Sequence, residues 1–142
     1  MLTLAARRAR RGFTLIELVV VVLVMGILAA VAAPKMFDTA ATAKINSTRQ
    51  SLVVIRDAIE LYKAQNGTYP GQTGSGTALA TDLKAFIKGP FPKVSISGAT
   101  GDASVKYETN GNGVGAASGV QDWIYDTVDG TFVINLATYD AY

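Results

Sequence analysis

The residues able to do chemistry are few and unevenly placed. Glu17 is the only charged residue in an apolar run from Phe13 to Ala33, and Asp122, Asp126, Asp129 and Asp140 gather toward the C-terminus. There is no histidine and no cysteine. That removes the commonest general base and metal ligand, thiol catalysis, cysteine metal sites and disulfides. An enzyme built from this chain would work with carboxylates, lysine or hydroxyls alone, so the composition points to a protein that is not an enzyme. The four aspartates raise the question of calcium, which needs six to eight oxygen ligands. No recognised calcium-loop spacing is present, and turn and surface roles account for these residues better, so the expectation is no metal and no cofactor, with calcium only weakly supported.

Glu17 is a different matter. The run from Phe13 to Ala33 has 21 residues, which as a helix measures roughly 31 Å, close to the ~30 Å of a bilayer's hydrocarbon core. A carboxylate costs on the order of 2.5–3.5 kcal/mol near mid-bilayer and less toward the interface. It is usually kept for a partner. The alternative is that Glu17, only about 6 Å along the helix from Phe13, snorkels to the headgroups.

Before the run stands Met1 to Gly12, with Arg7, Arg8, Arg10 and Arg11 and no acid. Cationic residues ahead of a span keep that end in the cytoplasm, so the remainder faces outward in a single-pass arrangement. The whole chain carries +2, and without the leader's four arginines it would carry −2. The alkaline isoelectric point therefore belongs to the leader, and nucleic acid is not an expected partner.

The elements that must position Glu17 follow from periodicity. Beyond the span, Ile45, Leu52, Ile55, Ile59 and Tyr62 recur at helical spacing with Lys44, Arg49, Arg56 and Lys63 between them. Asn66-Gly67 is a helix stop. The spacing predicts one helix from about Phe13 to Asn66, apolar all round in its first half and one-sided in its second. Pro34 lacks an N–H and predicts a kink over Ala30 to Pro34; alternatively the helix restarts after it. Gly26 reads as a second soft point or as a small residue easing helix packing.

After Gly67 glycine becomes dense. Ala78 to Lys88 reads as a short helix with Leu79, Leu83, Phe86 and Ile87 inward. Strand alternation appears at Val94–Ser97 and Val105–Glu108, and Trp123–Asp126 with Thr131–Leu136 reads as a hairpin around Asp129-Gly130. Gly111 to Gly119 is not a phosphate loop and reads as a mobile surface loop. The tyrosines and Trp123 read as packing residues. The expected fold is α+β: a long N-terminal helix on a small antiparallel sheet. Its parts are a basic leader (1–12), a transmembrane helix (13–34), an amphipathic half (35–66) and a small glycine-rich β domain (67–142).

Gly12 followed by Phe13-Thr14-Leu15-Ile16-Glu17-Leu18 and the valines Val19 to Val22 resembles the processing and methylation segment of type IV pilins and type II secretion pseudopilins. The resemblance implies a pilin-like fold and cleavage between Gly12 and Phe13 by a prepilin peptidase that also methylates the new Phe13 amine. It implies that Glu17 of one subunit pairs with the Phe13 amine of the next, and that the stretch from Gly26 to Pro34 can unwind during assembly. The expected partners are copies of this chain, other pilin-like subunits, the processing enzyme, an inner-membrane assembly platform, and lipid before assembly.

The expected function is a structural subunit of a type IV-like filament. It starts in the bacterial inner membrane with a cytoplasmic N-terminus, then joins a periplasmic or cell-surface filament. The short cysteine-free domain leans toward a secretion pseudopilin, with an adhesion or motility pilin as the alternative. Two readings of other classes stand beside it. Ala30-Val31-Ala32 would also suit a secretory signal cut after Ala32, releasing a soluble binding module, and a single-span anchored domain need never polymerise.

Overall fold

A computed structural model describes residues 12–74 and 77–139. They divide after Thr39 into two compact units. Helix α1 spans Leu15–Asn66. In the first unit every described residue is exposed, including the valines, leucines and isoleucines between Leu15 and Val31. The segment has an apolar surface all round and buries none of it within the chain, and it is long and apolar enough to cross a membrane. Pro34 lies inside α1, and Ala33 before it stays helical against the local preference of a pre-proline residue.

The second unit is built on α1 from Ala40 onward. Leu52, Ile55 and Ile59 are buried as the spacing anticipates, Ile45 and Tyr62 are half-buried, and Thr48 and Ala58 join the buried stripe as additions. The Thr48 hydroxyl returns to the Lys44 carbonyl and accepts the Ser95 amide, which is how a polar residue is tolerated there. The helix ends as read: Gly67 adopts φ +76° and its N–H reaches the Lys63 carbonyl at 2.8 Å.

The short helical segment is α2 (Ala78–Asp82) followed by one 3₁₀ turn (Leu83–Ala85). Leu79, Leu83 and Ile87 are buried, whereas Phe86 is half-buried and meets Tyr62 edge-on. Three strands follow: β1 (Val105–Glu108), β2 (Trp123–Asp126) and β3 (Phe132–Ile134), in the order β1-β2-β3. The hairpin β2–β3 is antiparallel, pairing Trp123 with Ile134 and Tyr125 with Phe132. Trp123 stacks on Phe132 at 5.0 Å, and the two join Leu52, Ile55 and Ile59 of α1 in one core.

Two expectations are corrected. The sheet is mixed rather than antiparallel, because β1 runs parallel to β2 with Val105 opposite Trp123. Parallel neighbours need a crossover of a dozen or more residues, and residues 109–122 supply it. Val94–Ser97 is not a strand. Val94 and Ile96 point inward as the alternation requires, but this stretch borders α1, and the Ser95 amide is satisfied by Thr48 instead of a ladder.

Candidate functional site

The segment around Gly12 to Glu17 begins outside the helix. Gly12, Phe13 and Thr14 are non-helical and exposed. The bond between Gly12 and Phe13 therefore lies in open chain just ahead of α1. Thr14 is the helix N-cap. Its N–H donates to Glu17 Oε2 at 2.9 Å, its hydroxyl donates to the same oxygen at 2.8 Å, and the Glu17 N–H donates back to Thr14 Oγ1 at 3.3 Å. This is a reciprocal capping box, in which a threonine and a glutamate three residues on satisfy two of the amides a helix start leaves open. Thr14 was missed as a functional residue although its signal, Thr-x-x-Glu before an apolar run, stands in the sequence.

The cap has a steric consequence. It folds the Glu17 carboxylate back toward the N-terminus instead of letting it extend sideways from α1. Phe13, Ile16, Val20 and Val21 surround it on one helix face. Both bonds that it accepts fall on Oε2, so Oε1 is left to a further donor. Gly26 and Pro34 lie about two and a half and nearly five turns beyond Glu17 on the same helix. A side chain at Gly26 would meet nothing within 4 Å, so packing within one chain does not require glycine there.

The second cluster of interest is the C-terminal aspartates. Asp122 and Asp126 are buried, not surface residues as expected. Asp122 accepts the amides of Thr100 and Gly101, the latter at 2.9 Å, together with the Thr100 hydroxyl. Asp126 accepts Gly111 N–H at 2.9 Å and Val128 N–H at 2.8 Å; Asp129 accepts Gly113 N–H at 2.7 Å and Thr131 N–H at 2.8 Å. Glu108, held by Lys106 at 2.9 Å, accepts Gly115 N–H, and buried Asn135 accepts Ser118 N–H.

Between them these side chains pin the crossover, which is therefore a tethered connection and not the free loop expected for Gly111 to Gly119. Burial raises the Asp129 carboxyl, but the Thr131 and Gly113 donors outweigh it and leave it below the usual range. Calcium does not fit this donor set. The carboxylate oxygens are aimed at N–H groups, which a cation would have to displace, and no group of three acidic ligands converges among the described residues. Asp140 lies outside the described residues.

The prokaryotic N-terminal methylation motif matches residues 7–33, the stretch that contains the open Gly12–Phe13 bond and the capped carboxylate. The chain carries a prepilin-type N-terminus. It is 38% identical over 84 residues to the type II secretion system core protein G of Pseudomonas aeruginosa, covering 59% of this chain and 54% of that protein. Core protein G of Klebsiella michiganensis is 35% identical over 75 residues, covering 53% of each. A fimbrial protein of Neisseria meningitidis serogroup B is 37% identical over 81 residues, covering 56% of this chain and 48% of that one. The chain spans about half the length of the curated relatives it matches. No solved structure matches it significantly. The motif and the exposed apolar helix together fit anchoring in the inner membrane.

Proposed function

We propose that this chain is a non-catalytic subunit of a type IV-like filament, cut after Gly12, methylated on Phe13 and polymerised through α1. The carrying observation is the apolar first half of α1, which buries nothing in its own chain and has one carboxylate in its first turn. Helices in lipid gain little hydrophobic energy by associating, since lipid tails are as apolar as leucine. A charge that is poorly solvated in lipid and paired in a bundle then tips the balance by a few kcal/mol. Glu17 supplies that charge. The cap uses only Oε2, which leaves Oε1 to accept from a neighbouring subunit's Phe13 amine, and Gly26, unneeded within the chain, suits close helix approach. Pro34, without an N–H to hold the turn before it, supports local unwinding between Gly26 and Pro34 on assembly.

Within the filament class we favour a type II secretion pseudopilin, because core protein G recurs among the similar proteins from several bacterial genera, Pseudomonas, Klebsiella, Pectobacterium, Aeromonas and Vibrio among them. The similarity to a fimbrial protein supports a pilus pilin as the second reading. The leader's four arginines hold the N-terminus in the cytoplasm, which puts the chain beyond the span on the periplasmic side.

The capping box sharpens the experiment. Glu17→Gln keeps a side chain that completes the cap but removes its charge; Glu17→Leu removes both. Charge pairing predicts that both variants are made and membrane-resident yet form few filaments. Normal assembly of Glu17→Gln with failure of Glu17→Leu would reduce Glu17 to a helix cap and end the pairing account.

A further inference from the structure

The chain contains three Asn-Gly steps, at 66–67, 110–111 and 112–113. Such steps are prone to an intramolecular reaction, because a glycine has no Cβ to shield its nitrogen from the preceding side-chain carbonyl carbon. In this fold all three glycine nitrogens are already donating: Gly67 to the Lys63 carbonyl at 2.8 Å, Gly111 to Asp126 at 2.9 Å, and Gly113 to Asp129 at 2.7 Å. Two of the three are thus held by carboxylates. A carboxylate beside the nitrogen opposes its deprotonation by like charge and occupies its N–H.

The three sites differ in how firmly the asparagine is held. Asn66 donates from Nδ2 to the Tyr62 carbonyl and ends a helix. The Asn110 carbonyl accepts the Asn112 N–H at 2.9 Å, and the Asp126 that guards Gly111 is fully buried, so its hold is lost only when the core opens. Asn112 is exposed and its side chain makes no hydrogen bond among the described residues, while Asp129 is only half-buried at the surface end of the hairpin turn.

We propose that Asn112 is a self-modification site whose conversion to aspartate or isoaspartate is gated by the Asp129 contact with the Gly113 nitrogen. When that contact opens, the Gly113 nitrogen attacks Cγ of Asn112 and gives its proton to solvent. The Cγ–Nδ2 bond breaks, ammonia leaves with a proton from solvent, and a five-membered imide closes. Water then opens either carbonyl. The net change is asparagine plus water to a carboxylate residue plus ammonium, with no oxidant, metal or enzyme required. The product carries a new negative charge among Asp129, Asp126 and Glu108, and the isoaspartate form lengthens the backbone by one carbon, so both products loosen the crossover.

The test incubates the full-length protein in detergent at mildly alkaline pH in ¹⁸O-labelled water, then maps peptides by mass spectrometry. In the native protein Asn112 should convert at least about tenfold more slowly than in urea, the factor that one charge-assisted hydrogen bond is worth. Asp129→Ala should bring the rate close to the urea value while Asn66 is unchanged. Amide hydrogen exchange on the wild type gives a reading that does not depend on a variant folding: Gly113 should be protected. Equal Asn112 rates with and without urea, conversion of Asn110 ahead of Asn112, an Asp129→Ala rate no faster than wild type, or a Gly113 amide exchanging like free chain would each overturn the proposal.

Discussion

Gly130→Ala tests the packing of the second unit at one atom. Gly130 closes the β2–β3 turn at φ +81°, with its N–H on the Asp126 carbonyl at 3.0 Å. A Cβ built on it falls within the Tyr69 ring. Moving that half-buried ring breaks its contacts with Lys63 Nζ, which lies 3.9 Å from the ring centre and 2.7 Å from its hydroxyl. Left-handed backbone costs an alanine about 1–2 kcal/mol. Displacing a packed ring costs about 1–3 kcal/mol more, so the variant should lose about 2–5 kcal/mol, a large share of the ~5–15 kcal/mol typical of a domain. The assay is urea unfolding followed by Trp123, the one tryptophan, fully buried against Phe132. In a Tyr69→Ala background the steric part should vanish and only the backbone cost remain, giving a coupling of about 1–3 kcal/mol. A Gly130→Ala midpoint within about 0.5 kcal/mol of wild type, or no coupling to Tyr69, would refute the reasoning.

Calcium should do nothing to stability: thermal midpoints with millimolar calcium and with chelator should coincide, whereas a micromolar site would add about 3–4 kcal/mol through binding to the folded state alone. Acid should loosen the crossover first. Hydrogen bonds from Ser104 and Thr100 hold the Asp102 carboxyl down to about 2 from 3.8, Lys106 and the Gly115 amide lower Glu108, and Asp129 is lowered as well. Depressed carboxyls stabilise the fold above their unfolded values and lose that contribution as pH falls through the folded ones. Exchange of the Ser104, Gly113 and Gly115 amides should therefore accelerate between about pH 4 and pH 2 beyond the intrinsic trend, with the α1 core unchanged; a uniform response would contradict the tethering.

Much of this architecture was legible because it is periodic or local. Leu52, Ile55 and Ile59 repeat on one helix face, Asn66-Gly67 ends that helix, and Asp129-Gly130 turns the hairpin. The parallel pairing of β1 was not legible, since it depends on where residues 109–122 are tied. Those ties run from Glu108, Asp126, Asp129 and Asn135 to backbone amides and leave no pattern in composition; glycine density alone suggested mobility. Alternation at Val94–Ser97 reported correctly which side chains turn inward but could not report that their amide partner was Thr48. At the N-terminus the Thr14-x-x-Glu17 spacing is a capping-box pattern, and the carboxylate that stands out as a lone charge in an apolar run also caps the helix. Asp140 and Tyr142 lie outside the described residues.

For Glu17 to pair between subunits, its carboxylate must stay with the mature protein. Intact-mass and N-terminal analysis of protein extracted from membranes measures this directly. The account predicts a chain beginning at a methylated Phe13. A chain beginning at Ala33 would contradict it, because Glu17 would have left with the removed segment, and an untrimmed Met1 would leave no Phe13 amine for a neighbour's Glu17 to meet.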